Sequence, residues 1–383
     1  MVEFLLTAVF AILILVGLLI ANGYWWNWYY SAPSSQDETF FFEARDGWKI
    51  SVHRYRPVRQ SGALPVILCH GLSSNRYAFD LPGTASLAVF LKNQGFDVWS
   101  AELRGSGMSA GPKVFFSDVP YDWEFCDHLE NDVPAIIDFV LEKTGASKVH
   151  WVGHSMGGML ILAHLAATPS ARIESVVTLG SPVDFSGMRN RSIDLLLAIR
   201  PLYAWLPISP LPFFGRVLLP ISHSIGRSLL GLFHPPNIHP EIARKVVALA
   251  SELVTSNKIW LTFGRYIEMG KCAPENGKSY FDGLDRSPAS ILFIAGSQDL
   301  MAPKAISPQV CAPEHPGGRR ECMVMGKETG CMEDYGHMDL LVGKRSDKEV
   351  FPRITGWIQE NDGELLQQHA DSTVASSHSQ CQI

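Results

Sequence analysis

The apolar positions of this chain fall into four patterns, and each predicts a different kind of element. From Phe4 to Ala21 the residues are almost purely apolar, a run long enough at about 1.5 Å per residue to cross the hydrocarbon core of a bilayer. The cluster Tyr24-Trp25-Trp26-Asn27-Trp28-Tyr29-Tyr30 follows, and such rings settle at headgroup depth. A cleaved signal peptide is the rival reading. No Lys or Arg precedes the run and no clear small-x-small cleavage site follows it, so an uncleaved single-pass anchor over residues 1–30 is expected. The second pattern is a hairpin, with Phe40 to Ala44 and Lys49 to Arg56 flanking an Asp46-Gly47 turn.

The third pattern is a series of short, continuous apolar runs, as buried parallel strands show. They are Pro65–Cys69, Phe96–Ala101, the run ending at Gly153, Ser175–Leu179, Ser290–Ala295 and Arg320–Met325. Helical segments separate them: Thr84–Gln94, Glu130–Thr144, Met159–Ala167 and, at the end, Asp347–Gln359. Strands alternating with helices at this spacing predict an α/β fold, a mostly parallel sheet with helices on both faces. The fourth pattern interrupts it. Residues 185–286 are rich in Leu, Ile, Pro, Phe and Trp without a clear strand, which predicts a mainly helical cap inserted into one domain. That domain then consists of residues 38–184 and 287–360. The polar, Ser/Gln-rich tail 361–383 is expected to be disordered.

Composition narrows the picture only a little. A chain of 383 residues is long enough for a sizeable core, and a net charge of −6 without a basic block argues against nucleic acid as a partner. The seven cysteines, Cys69, Cys126, Cys272, Cys311, Cys322, Cys331 and Cys381, are scattered, odd in number and without metal-ligand spacing. They form neither a disulfide framework nor a zinc site, although a single bridge stays open. The flanks of the anchor carry no basic residue until Arg45, so the side of the membrane is not readable. Oligomeric state is not readable either.

The chemistry centres on Val149-His150-Trp151-Val152-Gly153-His154-Ser155-Met156-Gly157-Gly158. The order is apolar strand, Gly-x-Ser-x-Gly turn, apolar helix, which is the context a nucleophile elbow requires. Gly153 and Gly157 let strand and helix approach closely, and the strained turn lifts the Ser155 hydroxyl above the sheet edge. A serine hydroxyl needs an adjacent base, itself held by a third group. Asp299 lies just past the strand Ser290–Ala295, and His337 lies past the strand after it. Both are at strand C-terminal ends, where open parallel sheets place their sites. Asp184 is a less favoured acid and His315 a less favoured base, and Asp339 is expected to cap the last helix. His154 is expected to pack beside the nucleophile without taking part. Two backbone N–H groups are expected to face a developing oxyanion: Met156 after the nucleophile, and Leu72 in the loop that follows His70-Gly71. Gly105 and Gly107 form an ordinary loop, since neither a P-loop Lys nor a dinucleotide spacing is present.

With these residues in view, the chain resembles the α/β-hydrolase superfamily from about Phe40 to Ile358. The run from Asp97 through Arg104-Gly105, Asp132 to Phe139 and Lys143-Thr144-Gly145 to Ser155 is similar to the acid (gastric and lysosomal) lipases. Those lipases usually have Gln after the serine. Met156-Gly157-Gly158 is more like general esterases and monoacylglycerol lipases. Polyhydroxyalkanoate synthases carry Cys at the elbow, and dehalogenases and epoxide hydrolases Asp, so Ser155 argues against all three activities. The resemblance implies a Ser155–His337–Asp299 triad, an acyl-enzyme intermediate and no cofactor or metal. The expected function is therefore hydrolysis of carboxylic esters, lipid acyl esters foremost, by a membrane-anchored enzyme. An acyltransferase or thioesterase on the same triad is the alternative, and a silent hydrolase-like scaffold a more remote one.

Overall fold

A computed structural model describes residues 2–362 apart from 32, 60–61, 110–120, 170–171, 190, 218–230, 253, 276, 304, 307–310 and 312–316. Helix α1 (Val2–Tyr30) comes first. The strands are β1 (Glu38–Glu43), β2 (Lys49–Tyr55), β3 (Val66–Cys69), β4 (Val98–Glu102), β5 (Val149–His154), β6 (Ile173–Leu179), β7 (Ser290–Gly296) and β8 (Arg320–Met325). They form one sheet in the order β1-β2-β4-β3-β5-β6-β7-β8. The β1–β2 hairpin and the β2–β4 pairing are antiparallel, and every pairing from β4 to β8 is parallel. The central strands are buried along their whole length, which explains why they read as continuous apolar runs.

Alternation along those strands builds two cores, because successive side chains point to opposite faces. Val66 and Leu68, with Val152, Val177 and Leu292, face α2 (Leu87–Asn93) and the last helix, 351–362. Ile67 and Cys69, with Trp99, Trp151 and Phe293, face α3 (Val133–Thr144) and α4 (Met156–Ala167). Helix α4 is apolar on every side and nearly all buried, as a helix covered all round must be.

Several boundaries differ from the sequence reading for local reasons. Helix α2 begins at Leu87 because the Ser86 side chain accepts from the Val89 N–H and caps it there. Helix α3 is preceded by a π-turn, His128–Asp132. The final helix is split into a short turn, Ser346–Glu349, and the helix 351–362. That helix runs past Asn361, since Asp362 accepts from the Leu64 N–H (3.2 Å) and pairs with His150 (3.1 Å). The rest of the tail, 363–383, lies outside the described residues.

Between β6 and β7 lie α5 (Arg191–Ile199), α6 (Leu211–Val217), a π-turn Val246–Ala250 and α7 (Asn257–Met269). Only two isolated bridges, Ser74↔Ser251 and Ile208↔Ser256, occur outside the named strands among the described residues. Val246–Ala250 joins the first core and Ile259 and Tyr266 the second. Helix α1 is the one described helix long and apolar enough to cross a membrane. Its aromatic end is not free of the fold. Tyr30 is buried, Trp26 packs against the first core, and Asn27 donates to the Ala248 carbonyl at 3.1 Å. Cys311 and Cys322 are disulfide-bonded, and Cys69, Cys126, Cys272 and Cys331 are free thiols.

Candidate active site

Strand β5 runs straight into Ser155, whose backbone sits at φ 53°, ψ −121°. A non-glycine residue with positive φ is strained by about 1–3 kcal/mol and persists only where its surroundings over-determine it. Here they do. The Ser155 N–H donates to Leu179 O at 2.8 Å, and its carbonyl accepts from Gly158 (3.1 Å) and Met159 (3.2 Å) to start α4. The Trp151 indole donates to Gly157 O at 3.1 Å. A Cβ at Gly157 would run into the Cys69 carbonyl, and one at Gly153 into the Gly157–Gly158 peptide. Met156 is the first helical residue, and an N–H there has no acceptor within the helix.

The other two chain segments arrive from β7 and β8. Asp299 is buried, and its Oδ1 accepts from the N–H groups of Met301 (2.9 Å) and Ala302 (2.8 Å). Its Oδ2 accepts from His337 Nδ1 at 2.9 Å. With Nδ1 committed to a carboxylate, Nε2 is the ring nitrogen left for a substrate-side proton. Gly180, at the end of β6 with φ 56°, closes the arrangement: a Cβ there would lie 2.9 Å from Asp299 Oδ2 and 3.0 Å from His337 Nδ1. Sequence reasoning passed over Gly180, which it could have singled out only as a glycine at a strand end.

Two further buried histidines lie on the strand ends nearby. The His154 ring lies 4.6 Å from the His337 ring, with Nε2 3.2 Å from His337 O. Burial first, then the neighbouring His337, holds its pKa well below the usual imidazole range. His70 accepts from the Leu103 N–H through Nε2 (3.1 Å) and donates from Nδ1 to Gly71 O (2.9 Å). Those two partners demand one neutral tautomer, and burial lowers its pKa to about 4. His70 is therefore a buried brace for the loop after β3. Gly71 is packed against Ser155, where a Cβ would lie 2.8 Å from Ser155 Cβ.

Asp339 does not cap a helix through its side chain. Its Oδ2 accepts from the N–H groups of Gly336 and His234, both at 2.8 Å, so it braces the turn that carries His337. Burial pushes its pKa up to about 7 against the pull of those two donors. Asp184 turns its carboxylate to the Ser186 N–H at 2.7 Å. His315 lies outside the described residues.

Behind the loop after β4, Arg104 holds Asp132 and Asp46, and His128 Nδ1 meets Asp132 at 2.8 Å. Glu102 is buried among Ser51, His53 and Arg76. Burial alone would raise its pKa, but His53, Arg76 and the Met108 N–H bring it down to about 2. Gly107 is packed against that carboxylate, and its N–H donates to Glu252 at 2.7 Å. The loop read as ordinary is thus a polar junction with the segment between β6 and β7. No group of three or more His, Cys, Asp or Glu able to hold a metal occurs among the described residues.

This architecture has known counterparts. Residues 65–343 match the alpha/beta hydrolase fold family. Lipase 1 of Drosophila melanogaster is 35% identical over 125 residues, covering 32% of this chain and 28% of that protein. The gastric triacylglycerol lipase of Mus musculus is 32% identical over 151 residues, 37% of either chain. The match thus spans about a third of the length of these relatives. Among solved structures, a thermostable carboxyl esterase from Bacillus coagulans superposes with a TM-score of 0.55 at 16% identity, covering 85% of this chain and 98% of that one. At that identity the likeness concerns the fold alone.

Proposed function

The chain belongs to the alpha/beta hydrolase fold family, and from that premise we propose that it is a membrane-anchored serine hydrolase of carboxylic esters. The observation that carries this reading is the buried 2.9 Å hydrogen bond between His337 Nδ1 and Asp299, with the His337 ring 4.6 Å from that of His154, the residue before a serine held at φ 53°. In this scheme His337 Nε2 takes the Ser155 proton as Oγ attacks the ester carbonyl. The oxyanion is met by the N–H groups of Leu72 and Met156. Collapse of the tetrahedral intermediate expels the alcohol, which receives the proton from His337, and leaves an acyl-serine. Water then repeats the sequence and releases the acid. Asp299 keeps the imidazole in the required tautomer and stabilises the imidazolium. The lipases among the relatives favour a lipid acyl ester as substrate.

Residues 185–286 serve as the cap. Leu195, Leu202 and Trp205 on it are largely exposed, Leu202 at 74% and Trp205 at 77%. Exposed apolar groups of this size suit a lipid surface. Trp26, Asn27 and Tyr30 pack against the folded domain, and removal of α1 as a signal peptide would forfeit those contacts. An anchor is favoured for that reason. The Cys311–Cys322 bridge suits an oxidising compartment, which supports a domain on the lumenal or outer side of its membrane.

The test is hydrolysis of p-nitrophenyl esters from short to long acyl chains by the detergent-solubilised full chain and by Ser155→Ala. Activity that rises with chain length and vanishes in the variant is expected. A folded protein inert on every ester, or one equally active as Ser155→Ala, would overturn the proposal.

A further inference from the structure

The loop after β3 is held from outside the sheet. Ser73 has φ 51°, a second non-glycine residue in the left-handed region. Its carbonyl accepts from the Glu252 N–H at 2.8 Å, and its hydroxyl accepts from the Trp260 indole at 3.1 Å. Ser74 pairs with Ser251 in an isolated antiparallel bridge and donates its hydroxyl to Ala250 O at 2.8 Å. The Asn75 amide donates to Leu249 O (2.9 Å) and to the Glu252 carboxylate (2.7 Å). That same carboxylate oxygen takes the Gly107 N–H. Every one of these partners lies on 249–252, on α7 or on the loop after β4. One residue before that segment, Ala248 O accepts from Asn27 of α1.

We infer that the segment Val246–Glu252, with Trp260, is a clamp that sets the oxyanion loop, Glu252 and Trp260 being positioning residues for the Leu72 N–H. The inference rests on the proposed hydrolase reading. Its physical basis is that Ser73 would leave the left-handed region if its partners let go. Relaxation there turns the neighbouring peptide units, Leu72 among them, away from the reacting carbonyl. A donor that strengthens only as negative charge develops acts on kcat and leaves KM alone. Asn27 couples the clamp to the aromatic end of the membrane helix, so the anchor reaches within one segment of the site.

The experiment compares Glu252→Ala, Glu252→Gln and Trp260→Phe in the full-length solubilised protein, beside wild type and Ser155→Ala. Glu252→Ala leaves the backbone N–H on Ser73 in place and releases Asn75 and Gly107 from the carboxylate, loosening the loop beside Ser73. It is expected to lower kcat about tenfold at unchanged KM, less than the ~10²–10³ that loss of a whole donor brings. Glu252→Gln keeps an acceptor oxygen for Asn75 and Gly107 and should restore kcat to within about threefold. Trp260→Phe should lower it by roughly three- to tenfold, since one hydrogen bond is lost. A trifluoromethyl ketone, whose hemiketal oxyanion occupies the hole, should lose affinity in proportion to each kcat. Should Glu252→Ala fail to fold, Trp260→Phe and Glu252→Gln carry the test. Unchanged kcat in folded variants, or an effect confined to KM, would overturn the clamp and leave the hydrolase reading intact. A wild type without esterase activity would overturn both.

Discussion

Ser155 and Ser73 are the two described non-glycine residues with left-handed backbones, at φ 53° and φ 51°, and they are held in opposite ways. Ser155 is held by what surrounds it in the chain and the sheet: β5 before it, α4 after it, glycines on either side, and an N–H bond to the neighbouring strand. Ser73 is held by residues far along the chain, Glu252 and Trp260, which reach it only because the segment between β6 and β7 folds over the loop. The turn at Ser155 is a property of the sheet. The loop at Ser73 is a property of its contact with the segment between β6 and β7. In the proposed site, one half is therefore set by the core and the other by that segment.

The sharpest break of the comparison is at Ser155 itself. Replacement by Ala should lower kcat on the order of 10⁶-fold, and Asp299→Asn about 10⁴-fold by misdirecting the imidazole. Single-turnover assays on long-chain esters read both. The next effect is structural. Gly157→Ala forces a Cβ into the Cys69 carbonyl, with no flexible side chain to give way, and should cost about 3 kcal/mol or more. Gly145→Ala meets nothing within 4 Å and should cost only the left-handed strain, about 1–2 kcal/mol. Equal losses on thermal melting would show that the nucleophile turn is no tighter than a helix end.

Ser73→Gly tests the other half. Glycine tolerates positive φ, so melting should change by less than about 1 kcal/mol. The loop loses the Trp260 acceptor and its own stiffness, and kcat should fall by roughly threefold to tenfold. A variant as active as wild type would make the two serines alike, both set by the sheet. The smallest effect concerns Asp339, whose pKa is raised to about 7 by burial. A carboxyl held above its unfolded value makes the folded state bind the extra proton, so stability falls as pH rises from about 4 to about 7 and is level above. Asp339→Asn should flatten that slope in melting temperature while keeping an oxygen for Gly336 and His234. An unchanged slope would place the titration elsewhere.

Much of the sheet was legible because each buried strand is a short apolar run ended by Gly or a polar loop, as in Pro65–Cys69 and Ser290–Ala295. The pairing of Asp299 with His337 was legible from their places after β7 and β8, although Asp299 follows its strand by three positions and His337 by twelve. Helix starts were less so: the helix expected from Thr84 begins only at Leu87, where Ser86 caps it. The role of Asp339 was misread, for its partners include the His234 N–H, 105 positions away along the chain. The cysteines were unreadable as a pair for the same reason. Spacing alone does not say that Cys311 and Cys322 lie 5.8 Å apart at their Cα atoms.

The amino-acid order by itself determined the parallel sheet, the apolar N-terminal helix and the strained turn at Ser155, because local pattern and local sterics act within a few residues. Only the tertiary structure decided that Gly180 makes room for the Asp299–His337 pair, that α1 rests on the Val246–Ala250 turn, and that Ser73 is pinned by Glu252 and Trp260. Those are hydrogen bonds and close approaches between segments distant in the chain. No periodicity records them, and they exist only once the sheet has set where each loop ends.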